Sequence, residues 1–145
     1  MLRLYRGLPT AGVLAFQVPL NFAEPSHTTI REIAADGPWA EQLAGVHRYD
    51  PGFPRAEGYA RPLLAAGAQL DVWTTTYLHV LSGPDPVFQW LSGTGLRPYF
   101  DALSGAVQAA FTAKVRQGLA VAYPADVSGQ TLFPFTRLFV VAVRP

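Results

Sequence analysis

The 145-residue chain is 50% hydrophobic and only 14% charged, with a formal net charge of +1, which excludes intrinsic disorder and a strongly basic nucleic-acid binder. Its ten arginines and single lysine are scattered, so no basic stripe follows a phosphate backbone, and arginine dominance favours bidentate recognition of carboxylates. The lack of cysteine removes disulfides, thiolate metal sites and thiol nucleophiles, and apolar runs of strand length predict no membrane span.

This length predicts one domain that buries about two-thirds of its unfolded surface. A helix tail is predicted over residues 2–8, ended by a turn at residues 9–12. "GVLAFQVP" then reads as a strand buried on both faces and closed by Pro19, with Gln17 and Asn21 at its carboxyl end. Residues 21–62 loosen into short helices split by Pro25, Pro38, Pro51 and Pro54, a helical insertion within a single domain rather than a second one. Ser26 or Thr29 is the expected cap, and Glu32 stands at capping-box distance from Thr29.

"AQLDVWTTTYLHVL", residues 68–81, is the clearest strand. Alternation puts Asp71, Trp73, Thr75, Tyr77 and His79 on one face, and Val72, Thr74, Thr76, Leu78 and Val80 on the other. Faces so different predict a core on one side and a cleft on the other. Asp85 is the expected cap of a helix opened by Pro86. Val107, Phe111, Val115, Leu119 and Ala122 recur at helical spacing and predict an amphipathic helix over 105–123. The last segment, "FTRLFVVAV", is apolar enough to belong in the middle of a sheet, with pairing starting after Pro134.

"WLSGTGLRPYF", residues 90–100, admits three readings: a phosphate loop, a helix connector, or a mount for Arg97. A dinucleotide fingerprint needs glycines after a strand, whereas these follow a helix, and no Lys-Ser/Thr pair follows Gly95. Gly93 is therefore expected as a left-handed helix stop, with Pro98 holding Arg97 extended ahead of a short helix at 99–103.

"WLSGTGLRPYFDAL", preceded by "LDVWTTTYLHVL" and followed by "GQTLFPFTRLFVVAV", resembles the C-terminal half of the trans-aconitate 2-methyltransferases, within the class I S-adenosylmethionine-dependent methyltransferase superfamily. "GVLAFQVPLNFAEPSH" resembles that family's fifth strand and the segment after it. The resemblance implies an α/β fold, a partial Rossmann-like sheet whose strands correspond to the fifth, sixth and seventh, with the last antiparallel and central. It also implies S-adenosylmethionine as cofactor, although the glycine loop and acidic residue that hold it are missing from this chain. Its partners would be a small polycarboxylate such as trans-aconitate and the absent N-terminal half, or a second copy over an uncovered strand edge. No nucleic acid or membrane partner is implied, and the cytoplasm is the expected location.

Methylating a carboxylate requires no general base, because the nucleophilic oxygen is already ionised at neutral pH. The site must instead fix a polyanion in line with the methyl group. The resemblance directs attention to Gln17 and Asn21, to His27 and Arg31 at i, i+4 spacing, to Trp73, Thr75, Tyr77 and His79 on one strand face, and to Arg97 and Arg137 as carboxylate clamps. Plainer roles stand beside these: packing for Trp73 and Tyr77, a structural hydrogen bond for His79, a solvated helix face for His27 and Arg31. The competing functional reading is a catalytically inactive domain that self-associates or binds small acids without methyl transfer.

Overall fold

A computed structural model describes residues 1–46 and 55–145. In chain order the elements are α1 (Leu2–Arg6), β1 (Val13–Pro19), α2 (Pro25–Ala35), α3 (Ala40–Leu43), α4 (Ala56–Ala65), β2 (Gln69–Ser82), α5 (Pro86–Ser92), α6 (Arg97–Ala102), α7 (Gly105–Ala122) and β3 (Gln130–Val143). The strands form one sheet in the order β1-β3-β2, so the C-terminal strand is central, as its apolar sequence predicts. β3 runs antiparallel to β1, from Val13 opposite Val143 to Pro19 opposite Arg137. No helix among the described residues is long and apolar enough to cross a membrane.

The chain divides into two compact units. The sheet unit comprises residues 1–21, 55–77 and 135–145. One face of its sheet is buried: Leu138, Val140 and Ala142 of β3 pack with Tyr5 of α1, Leu63 of α4 and Ala68 just before β2, joined by Leu14, Phe16, Val18, Leu70 and Val72. At the entry to β1, Gly12 is required by space, since a Cβ there would stand 2.8 Å from the carbonyl oxygen of Pro9. The Arg144 N–H donates to Gly12 O at 2.9 Å, and the Leu20 N–H donates to Thr136 O at 2.9 Å. Hydrogen-bonded and non-bonded pairs alternate in an antiparallel ladder, so even-numbered β1 residues bond to β3 while the amides of Val13, Ala15 and Gln17 face the free side.

Two expectations about these strands are corrected. β1 is not buried on both faces: Val13, Ala15 and Gln17 are exposed because β1 stands at the end of the sheet order with only its Leu14, Phe16 and Val18 face covered. Nor does pairing begin after Pro134, since β3 starts at Gln130 and runs through the proline. The last β1–β3 bond lies at Thr136, so the missing Pro134 N–H falls beyond the stretch that β1 pairs with and costs no ladder bond there.

The helical unit comprises residues 22–46 and 78–134. α7 buries Phe111, Val115 and Leu119, one side chain per turn, as the sequence spacing predicts. It packs on α2 at Gly118, where a Cβ would meet Thr29 Cγ2 at 2.7 Å and Ile33 Cδ1 at 2.9 Å. Gly118→Ala should therefore destabilise by about 1 kcal/mol in urea titration, a mid-range overpacking cost of about 2 kcal/mol outweighing the roughly 1 kcal/mol gain in helix propensity. A neutral or stabilising alanine would mean that the two helices are free to separate at this point.

Helix α2 begins with Glu24 as its cap and Pro25 as its first residue, not at Ser26 or Thr29. Proline's fixed φ suits that first position, while Ser26 is buried and its N–H donates to the Tyr123 hydroxyl at 3.0 Å. Proline opens α5 too, but Asp85 before it is left-handed at φ 47° and makes no capping bond. Its carboxylate accepts from Arg116 Nη1 at 3.0 Å instead, and the same guanidinium lies 4.4 Å from the centre of the Phe88 ring. Of the prolines expected to punctuate the insertion, Pro51 and Pro54 lie outside the described residues. Beyond them Pro62 lies inside α4 rather than ending the helical region.

Candidate functional site

In the sheet unit, the face opposite the core carries the predicted strand residues. Trp73 stacks on Phe139, centroids 5.2 Å apart and planes 9° from parallel, while remaining 42% exposed. Thr76 and Thr136 share a 2.9 Å side-chain hydrogen bond, so residue numbers rise along β2 as they fall along β3 and Thr75 comes opposite Arg137. Antiparallel register puts Gln17 opposite Phe139 and Pro19 opposite Arg137. Gln17, Arg137, Trp73, Thr75 and Tyr77 therefore share one open face, and Tyr77 is 44% exposed there.

An arginine in so apolar a strand requires a partner, and Arg137 finds neutral ones. Its Nε donates to Gln17 Oε1, and its guanidinium lies 5.4 Å from the centre of the Phe135 ring. The bond occupies one side of the planar fork, and among the described residues no carboxylate pairs with the guanidinium, a geometry suited to an incoming carboxylate. Asn21, at the end of this unit's first segment, is only 4% exposed, so it is a buried residue rather than part of that open face.

The remaining candidates belong to the helical unit. His27 sets its ring edge-on to Phe22 at 5.4 Å, and its Nδ1 is 3.1 Å from Ser26 Oγ. A Cβ on Gly95 would lie 3.9 Å from His27 Nε2, so the glycine connector and α2 are neighbours. His79 packs between Trp90, at 4.5 Å, and Phe133, at 6.5 Å, in an aromatic setting. Arg31 lines a cavity of about 140 Å³ together with Tyr99.

The connector itself excludes a phosphate loop. The N–H groups of Thr94 and Leu96 both donate to Leu91 O, and that of Arg97 donates to Thr94 O, so the amides a phosphate would need are already committed. Gly93 is right-handed at φ −75°, not left-handed, because this closed turn ends α5 without a left-handed stop. Arg97 is likewise the first residue of α6 and not an extended residue ahead of it; its bond back to Thr94 outweighs the bias that Pro98 imposes. Its side chain is exposed, at the head of a helix closed tightly on its predecessor.

Tyr99 is the residue that the sequence reading missed. It is 1% exposed and burial pushes its hydroxyl up to about 12, with the charge of Arg31 pulling the other way. The available signal was a phenol in the first turn of a helix with proline at its second position.

These residues do not by themselves form a pocket for S-adenosylmethionine. Among the described residues only β2 is followed by a glycine turn into a helix, and that turn, Gly83-Pro84-Asp85-Pro86, offers two prolines and an ion-paired aspartate in place of a cradle of amide donors. Among the described residues no three His, Asp or Glu side chains gather where they could hold a metal ion.

No family model matches the chain. It is nonetheless 51% identical over 140 residues to a trans-aconitate 2-methyltransferase of Streptomyces coelicolor, covering 95% of this chain and 46% of that protein. A protein of the same name from Streptomyces avermitilis is 48% identical over 94% of this chain and 50% of its own length. One from Methylobacterium nodulans is 43% identical over 98% and 55% respectively. A partial α/β fold with a central antiparallel last strand is compatible with this likeness. The chain is thus a homologue of the trans-aconitate 2-methyltransferases that spans about half of their length, consistent with their C-terminal portion.

Proposed function

We propose that this chain supplies the acid-holding side of a methyltransferase that esterifies a carboxylate of a small polycarboxylic acid such as trans-aconitate, with S-adenosylmethionine as the methyl donor. The observation that carries the reading is the likeness itself, 51% identity over 95% of the chain to a protein so named. The Arg137–Gln17 pair on the open sheet face supports it, because a guanidinium oriented through Nε presents its fork to a carboxylate. Binding and orientation are the tasks assigned to this chain; the acid's own ionised oxygen is the nucleophile, and no side chain here needs to remove a proton. The donor's pocket is assigned to the part of the relatives that this chain does not span.

Isothermal titration with trans-aconitate at neutral pH tests the assignment. Arg137→Met should weaken binding about ten- to a hundredfold, the loss of a charge-assisted hydrogen bond, with little effect on an arginine-independent melt. Absence of trans-aconitate binding by the folded chain would remove the acid-holding role. The position of β1 at the end of the sheet among the described residues favours a second reading, in which the chain pairs with a further strand, from the remainder of such an enzyme or from a second copy, and transfers no methyl group alone.

A further inference from the structure

We propose that the groove between α5, α6 and α7 of the helical unit binds a neutral, flat, largely apolar molecule carrying one N–H or O–H donor, the chemical class of indoles and phenols. The proposal is independent of the acid-holding role above. The groove has a volume of about 580 Å³, within the roughly 300–1,000 Å³ that small-molecule sites occupy. Its lining among the described residues comes from these three helices alone. Phe88 of α5 and Phe100 of α6 make an aromatic wall, their ring centroids 6.3 Å apart and their planes tilted by 55°. On α7, Gly105, Ala109 and Ala113 recur at every fourth residue, so this side of the groove has no bulk to close the space.

The polar groups of α7 select the ligand. Arg116 is the one charged residue in the described lining, and its charge is met: Nη1 donates to Asp85 Oδ2 at 3.0 Å while the guanidinium covers the Phe88 ring at 4.4 Å. The groove therefore calls for neither an anion nor a cation. Gln108 Nε2 donates to the Phe100 carbonyl oxygen at 3.0 Å, a bond that identifies the two ends of the amide and holds it in place. Its Oε1 is thereby a positioned acceptor, with the Thr112 hydroxyl one turn along the same helix. A bare hydrocarbon would cover that acceptor without a bond, and a carboxylate would set lone pairs against it. An arene with one N–H or O–H satisfies the carbonyl while its ring lies against the phenylalanines.

Indole is the probe, titrated into the ¹⁵N-labelled chain beside N-methylindole, which keeps the rings and lacks the donor, and naphthoate, which replaces the donor with a charge. Indole should shift the amides of Ala109, Thr112 and Ala113 saturably. N-methylindole should bind about tenfold more weakly, the share of one neutral hydrogen bond, and naphthoate more weakly than indole. Ala109 is exposed, so Ala109→Leu fills the groove without entering the core; it should weaken indole about tenfold or more and leave the urea midpoint unchanged. Equal affinity for indole and N-methylindole, or naphthoate binding at least as tightly as indole, overturns the ligand class. Wild-type indole affinity in a folded Ala109→Leu chain, or no saturable shift at the three amides, overturns the site.

Discussion

Phe111→Ala should destabilise the chain by about 3–5 kcal/mol, the range for removing a fully buried phenylalanine whose surroundings collapse only partly. Phe111 has no exposed surface and joins three helices of the helical unit. Trp39, just before α3, meets its ring edge-on at 5.3 Å, and Tyr99 of α6 stacks on it. The truncation would open a void and remove the ring on which Tyr99 stacks, so the urea midpoint should fall. A loss below about 1 kcal/mol would mean that the site collapses around the smaller side chain and that Phe111 does not hold Tyr99 in place.

The parts of the fold that were legible in the sequence are those set by burial over many residues. β3 is apolar on both faces because it is the central strand, and α7 repeats its buried side chains every turn because one face packs inward. Single-residue features were less legible, since competing partners decide them. Ser26 has a good capping side chain, yet its N–H is taken by Tyr123, which is distant in sequence; Asp85 gives its carboxylate to Arg116, not to its own helix. Gly93 has the right position for a left-handed stop, and the bonds to Leu91 O make one unnecessary. The candidate site divides on the same line: strand alternation grouped Asp71, Trp73, Thr75, Tyr77 and His79, of which His79 packs against Trp90 and Phe133 in the helical unit, and the β1–β3 register sets Gln17 and Arg137 on the face of Trp73. Tyr99 was illegible because its burial depends on packing between α6 and α7 and not on any local pattern.

The β1–β3 register also separates two proline substitutions that stand one residue apart. The Ala15 N–H faces away from β3, so Ala15→Pro removes a donor from the free edge and leaves the ladder intact, at a cost within about 1 kcal/mol. The Phe16 N–H belongs to the pair with Val140, on the bonded side. Phe16→Pro would leave a carbonyl unsatisfied beside the core and remove a ring packed 5.8 Å from that of Tyr59. Those losses together should cost about 3 kcal/mol or more. If association proceeds by strand addition at β1, Ala15→Pro should abolish it in sedimentation velocity while the urea midpoint hardly moves. Phe16→Pro should do the opposite at temperatures where enough native chain survives, lowering the midpoint sharply without singling out association. Undiminished association of a folded Ala15→Pro chain would show that partners dock elsewhere, because a proline at an outward-facing position denies any added strand its central hydrogen bond.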